Sequence, residues 1–116
     1  MIEYSQIQFD PNKLSYEQEK IGLEFADLDT AVELLKKTEK ILISELTRKY
    51  MGTNYKNSSE LNAYIYSDDR FKEFTKEYGE SLKKRNRAKV RYETFKTFRE
   101  DLRTKVVNER ELAKHL

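Results

Sequence analysis

At 116 residues the chain has room for one domain, and charged residues at 38% against 37% apolar lean toward long, solvent-facing helices. The absence of cysteine excludes disulfides, thiolate nucleophiles and cysteine-ligated metal sites. The net charge of +2 conceals a split, because residues 1–40 carry nine acids against five lysines while residues 41–116 carry twelve acids against eighteen bases.

Residues 1–26 predict a short N-terminal arm or a small β-hairpin. IEYSQIQF and KIGLEF both alternate apolar with other residues, Asp10-Pro11-Asn12-Lys13 suits a turn between them, and Gly22 argues against a strong helix. From Asp27 the pattern changes period. Leu28, Val32, Leu35, Leu42 and Leu46 share one helical face, Asp27 and Asp29 suit an N-cap and first turn, and Gly52 follows Arg48 and Lys49 as a stop, so a helix is expected over 27–51.

GTNYKNSS then reads as a turn, with Ser58 or Ser59 capping a short helical turn through ELNAYIY. SDDR at 67–70 opens another helix, with Ser67 or Asp68 as its cap. Beyond it a three-four alternation places Phe71, Phe74, Tyr78, Ser81, Arg85, Ala88, Tyr92, Phe95, Arg99, Leu102, Val106, Glu109 and Ala113 on one stripe. A helix over 68–113 would run about 70 Å at the standard rise per residue.

The expected fold is therefore mainly α: an antiparallel helical hairpin or coiled coil over residues 27–116, with one very long C-terminal helix, preceded by the arm over 1–26. A first helix of about 37 Å covers only half of the second. Tyr92, Phe95, Phe98, Leu102, Val106 and Val107 then need a cover, since exposing such a stripe forgoes about 1.5–3 kcal/mol per large side chain. The arm or a second copy can supply it, which makes Tyr92, Phe95, Phe98, Leu102 and Val106 candidate self-association residues and a homo-oligomer, a dimer above all, the expected state.

Two sets of residues are candidate contacts. KKRNRAKVR, residues 83–91, holds six positive charges and no acid. Helical spacing puts Lys83, Lys84, Arg87 and Arg91 in one outer arc, while Arg85 and Lys89 point along the stripe toward acids of the first helix. The outer four form a solvated face, a phosphate-binding arc, or a contact for an acidic protein. Around the turn, Arg48, Lys49 and Lys56 interleave with Tyr50 and Tyr55, a pairing that stacks bases in nucleic-acid binders and anchors interfaces or caps cores elsewhere.

Catalytic signatures are missing. His115 stands alone, no glycine-rich phosphate loop and no nucleophile elbow occur, and Asp68-Asp69 reads as a helix start. No enzyme, catalytic residue, metal or cofactor is expected. No apolar run approaches the ~20 residues that cross a bilayer, and MIEYSQIQFD lacks a signal-peptide pattern, so no membrane partner is expected either.

FADLDTAVELLKKTEK at the first helix, a tyrosine-bearing connection, and AKVRYETFKTFREDLRTKVVNER in the last helix together resemble the small helical proteins of phage and prophage genomes, over about residues 25–113. The N-terminal arm and the lower alanine content depart from that texture. The resemblance implies cytoplasmic, non-enzymatic accessory work in a bacterial host: binding and modulating or inhibiting a protein of nucleic-acid metabolism or defence, or binding single-stranded nucleic acid in recombination or replication. A protein partner is the first expectation, since the chain lacks the domain-wide basic footprint of a dedicated nucleic-acid binder.

Overall fold

The computed structural model describes residues 11–115, and among them the chain is three helices with no strand: α1 (Pro11–Met51), α2 (Ser58–Ser67) and α3 (Asp69–Lys114). The mainly α fold and the very long C-terminal helix agree with the pattern of the sequence. The described part of the N-terminal stretch does not: KIGLEF lies inside α1 rather than in a hairpin strand, and IEYSQIQF lies outside the described residues.

The helix extends back to Pro11 because the inward spacing does. Leu14, Gln18, Ile21, Phe25, Leu28, Val32, Leu35, Glu39, Leu42, Leu46 and Tyr50 recur every three or four residues, and every one is buried or half-buried. Leu23, which gave the stretch its apparent alternation, is 58% exposed. Proline suits the first helical position, where no intrahelical N–H is lost. Asp27 and Asp29 are consequently interior helix residues and not a cap.

The other helix ends also have identifiable causes. Gly52 adopts no positive φ, so it does not stop α1 as a left-handed cap. Thr53 closes the end instead, its N–H and Oγ1 both donating to the Tyr50 carbonyl at 3.0 and 2.6 Å. Asn57, not Ser58 or Ser59, caps α2 by accepting from the Glu60 N–H at 2.9 Å. Asp68 precedes α3 and accepts from the Arg70 N–H at 2.8 Å. Along α3 the expected stripe is buried or half-buried from Phe71 to Val106, and only its last two members, Glu109 and Ala113, are exposed.

Contacts divide the chain into two compact units, Asp27–Asn86 and Met1–Ala26 with Arg87–Leu116. The first is a three-helix unit. Its core joins Leu42, Leu46, Ile65 and Phe74, with Leu35, Tyr50, Leu61, Phe71 and Tyr78 packed against them. Within it α1 and α3 run antiparallel, as Asp29 pairs with Arg85 and Glu45 with Arg70.

The second, described over 11–26 and 87–115, is a two-helix unit. Its buried residues are Leu14, Ala88 and Phe95. Gln18 meets Arg99, Gly22 and Phe25 meet Tyr92, and Glu24 meets Arg91, again an antiparallel register. Here α1 covers the aromatic stripe that a shorter first helix would have left bare.

Candidate functional site

The basic run lies on α3 and its six charges fall into two kinds. Arg85 and Arg91 are paired, Arg85 Nη1 donating to Asp29 at 3.1 Å and Arg91 Nη1 to both carboxylate oxygens of Glu24 at 3.0 Å. Lys83, Lys84, Arg87 and Lys89 are exposed and form no ion pair among the described residues. Arg85 thus serves the fold as the sequence suggests, while Arg91 takes the place expected of Lys89. Lys83 and Lys84 belong to the three-helix unit, Arg87, Lys89 and Arg91 to the two-helix unit.

Around the turn, most polar groups are already engaged. Asp68 is 7% exposed, and its Oδ2 accepts from the Tyr50 hydroxyl at 2.5 Å and from Lys49 Nζ at 2.9 Å, while Oδ1 takes the Arg70 N–H. Two side chains of α1 therefore hold Asp68, at the α2–α3 joint, against the end of that helix. Those bonds, the Tyr50 hydroxyl first, then Lys49 and the Arg70 N–H, keep the Asp68 carboxyl at about 2. The same hydrogen bond pushes the Tyr50 hydroxyl above its ordinary value, and the Asp68 carboxylate does the same for Lys49. The Tyr50 ring stacks on Tyr64 at 5.8 Å. Lys49, though exposed, and the half-buried Tyr50 thus both contribute to the fold through Asp68; Arg48 and Lys56 are exposed and Tyr55 half-buried.

The candidate self-association residues lie in the two-helix unit. Phe95 is 1% exposed and Tyr92 lies parallel to Phe25, ring centres 6.1 Å apart. Phe98, Leu102 and Val106 are half-buried and keep some accessible surface.

A feature that the sequence did not announce adjoins that stack. Ser15, Gln18, Glu19, Gly22, Leu23 and Phe25 of α1, with Tyr92 and Arg99 of α3, line an open groove of about 590 Å³ in the two-helix unit. Gly22 makes room for it, since a Cβ there would stand 3.3 Å from Tyr92 Cε2. Arg99 donates from Nη1 to Gln18 Oε1 and meets no carboxylate among the described residues. The only sequence signal for the groove is Gly22 at a position where α1 faces an aromatic residue.

Among the described residues, no group of three or more His, Asp or Glu is placed to hold a metal ion, and no helix is long and apolar enough to cross a membrane. No family model, curated protein or solved structure matches the chain.

Proposed function

We propose that the chain is a non-enzymatic accessory protein, of the kind met in phage and prophage genomes, that binds and modulates or inhibits a protein of nucleic-acid metabolism or defence. The observation that carries the protein-binding part is the groove of the two-helix unit. It combines two aromatic rings, a leucine more than half exposed and an arginine that meets no carboxylate among the described residues. Aromatic and arginine side chains in such settings anchor protein interfaces. The phage context rests on the texture of the helices alone.

A second reading, a single-strand nucleic-acid-binding accessory, is favoured by Lys83, Lys84 and Arg87, which are exposed on α3 with no acid taking their charge among the described residues. It lacks the usual companion feature: the rings nearest in sequence, Tyr78, Tyr92 and Phe95, are half-buried or buried, and Tyr92 is stacked on Phe25.

The test is capture from bacterial lysate before and after nuclease, beside titration of single-stranded DNA over a range of salt. The protein reading expects capture that survives nuclease and persists in a K83Q/K84Q/R87Q variant. Under the nucleic-acid reading, capture disappears with nuclease and DNA affinity falls with salt at a slope of roughly −0.7 per phosphate contact, about −2 for three. The second result replaces the first reading with the second.

A further inference from the structure

The groove has a charged lip. On α3, Lys89, Tyr92, Lys96, Arg99 and Arg103 recur at spacings of three and four, so they form one ridge along the helix. Tyr92 and Arg99 of that ridge line the groove itself. Lys89, Lys96 and Arg103 are exposed, and none of the ridge's four cations meets a carboxylate among the described residues. Glu93 and Glu100 stand on the adjacent row of α3, three or four residues from Lys89, Lys96 and Arg103, and form no ion pair among the described residues. The opposite lip, on α1, carries Ser15, Glu19 and the exposed Leu23, which recur four residues apart. All of these residues belong to the two-helix unit.

An apolar floor with four cations on one side that form no ion pair among the described residues, and a single acid on the other, selects for the chemistry of its occupant. A bare phosphate chain would satisfy the ridge, but it would leave Leu23, Phe25 and Tyr92 unused and would bring charge against Glu19. An uncharged apolar helix would fill the floor and leave the ridge unanswered. One class of partner meets both demands: an amphipathic segment with large apolar side chains on one face and carboxylates along one flank. We propose that the groove between residues 15–25 of α1 and 89–103 of α3 docks an acidic amphipathic helix of a partner protein, its apolar face on Leu23, Phe25 and Tyr92 and its acidic flank on Lys89, Lys96, Arg99 and Arg103. This rests on the protein-binding reading above and names the partner's chemistry. Glu19 gives the interaction direction, because a segment turned end for end brings its acids to the α1 lip.

The probe is a synthetic helical peptide with leucines at i, i+4 and i+7 and glutamates on one flank only, followed by fluorescence anisotropy. Controls are a peptide of the same composition with the leucines dispersed, the leucine pattern with lysines for glutamates, and a single-stranded oligonucleotide. The patterned acidic peptide is expected to bind at least tenfold tighter than each control. K96E/R103E should weaken it at least tenfold, L23Q about fivefold, and K83Q/K84Q, which lies outside the groove, should leave it unchanged. All these substitutions are at exposed positions, and an unchanged helical circular dichroism signal separates lost binding from lost fold.

Equal binding of patterned and dispersed peptides overturns the proposal, as does an unaltered affinity in K96E/R103E. So does tighter binding of the oligonucleotide. A wild-type dimer in light scattering that L23Q converts to monomer shows that a second copy occupies the groove and overturns it as well. A protein that captures a nuclease-resistant partner yet ignores the patterned peptide loses this inference while the broader reading stands.

Discussion

The three-helix unit and the two-helix unit are built from the same two long helices, yet they close differently. Where α2 lies alongside, apolar side chains from three directions meet, and Leu46 reaches 0% exposure within a cluster spanning all three helices. Where α1 and α3 pair without a third helix, burial is limited to Leu14, Ala88 and Phe95, and the facing row admits Gln18, Gly22 and Arg99. Two helices can bury one seam between them, and a seam has open flanks. The same scarcity of cover that weakens the two-helix unit leaves it a groove, so stability and binding surface are divided between the two.

The largest expected effects test that division through cavities. Leu46→Ala should cost about 3 kcal/mol or more, because the surrounding three-helix core cannot collapse into the space. Leu14→Ala should cost about 2 kcal/mol, at the low end for such truncations, since a two-helix seam relaxes and admits water. Urea unfolding followed by circular dichroism gives both values, and amide hydrogen exchange assigns each loss to its unit. Equal costs would break the comparison.

Next comes a pH effect confined to the three-helix unit. Asp68 is held at about 2 in the folded chain against an ordinary 3.8, so the folded state favours its ionised form. That contribution is complete above about pH 4 and disappears as pH falls from there toward 2. Tyr50 and Lys49 are displaced upward, so their contribution is present below the ordinary tyrosine value of 10.0 and is lost as alkaline pH climbs through their raised values. Exchange protection at the α2–α3 joint should therefore fall at both extremes, ahead of protection in the two-helix unit. Asp68→Asn should flatten the acid limb; an acid limb of unchanged depth in that variant would remove Asp68 as its source.

How much of this the sequence disclosed follows the same division. The stripe of α3 was legible because Phe71, Phe74, Tyr78, Ala88, Tyr92 and Phe95 mark it at regular spacing, and the antiparallel pairing followed from the connection at 52–66. The first sixteen residues of α1 were not, for physical reasons. Gln18 interrupts the apolar row with a polar side chain that answers Arg99, the exposed Leu23 mimics strand alternation beside Ile21 and Phe25, and Gly22 looks like a breaker when its lack of a side chain accommodates Tyr92. The bonds of Lys49 and Tyr50 to Asp68 were not legible, because that partner is nineteen and eighteen residues away in sequence. The groove was hidden for the same reason: its lips come from segments some seventy residues apart.

The smallest effects come from two glycines, one in each unit, and they sharpen the comparison most closely. Both lie inside continuous helices, and replacing an interior helical glycine by alanine ordinarily gains about 0.5–1 kcal/mol from backbone entropy and propensity. Around Gly79, in the three-helix unit, a new methyl meets nothing within 4 Å, so Gly79→Ala should realise that gain in full. At Gly22 the methyl would lie 3.3 Å from Tyr92 Cε2 and 3.7 Å from Cδ2, tight enough that the ring must shift by a few tenths of an ångström off its parallel contact with Phe25. Because the propensity gain and the displaced ring oppose each other, Gly22→Ala should fall within about 0.5 kcal/mol of the parent. Paired urea melts measure the difference, and near-ultraviolet circular dichroism reports whether the tyrosine environment changes in the Gly22 variant alone. Equal stabilisation by both alanines would mean that Tyr92 yields without cost, and the floor of the groove would then be looser than its stacked rings imply.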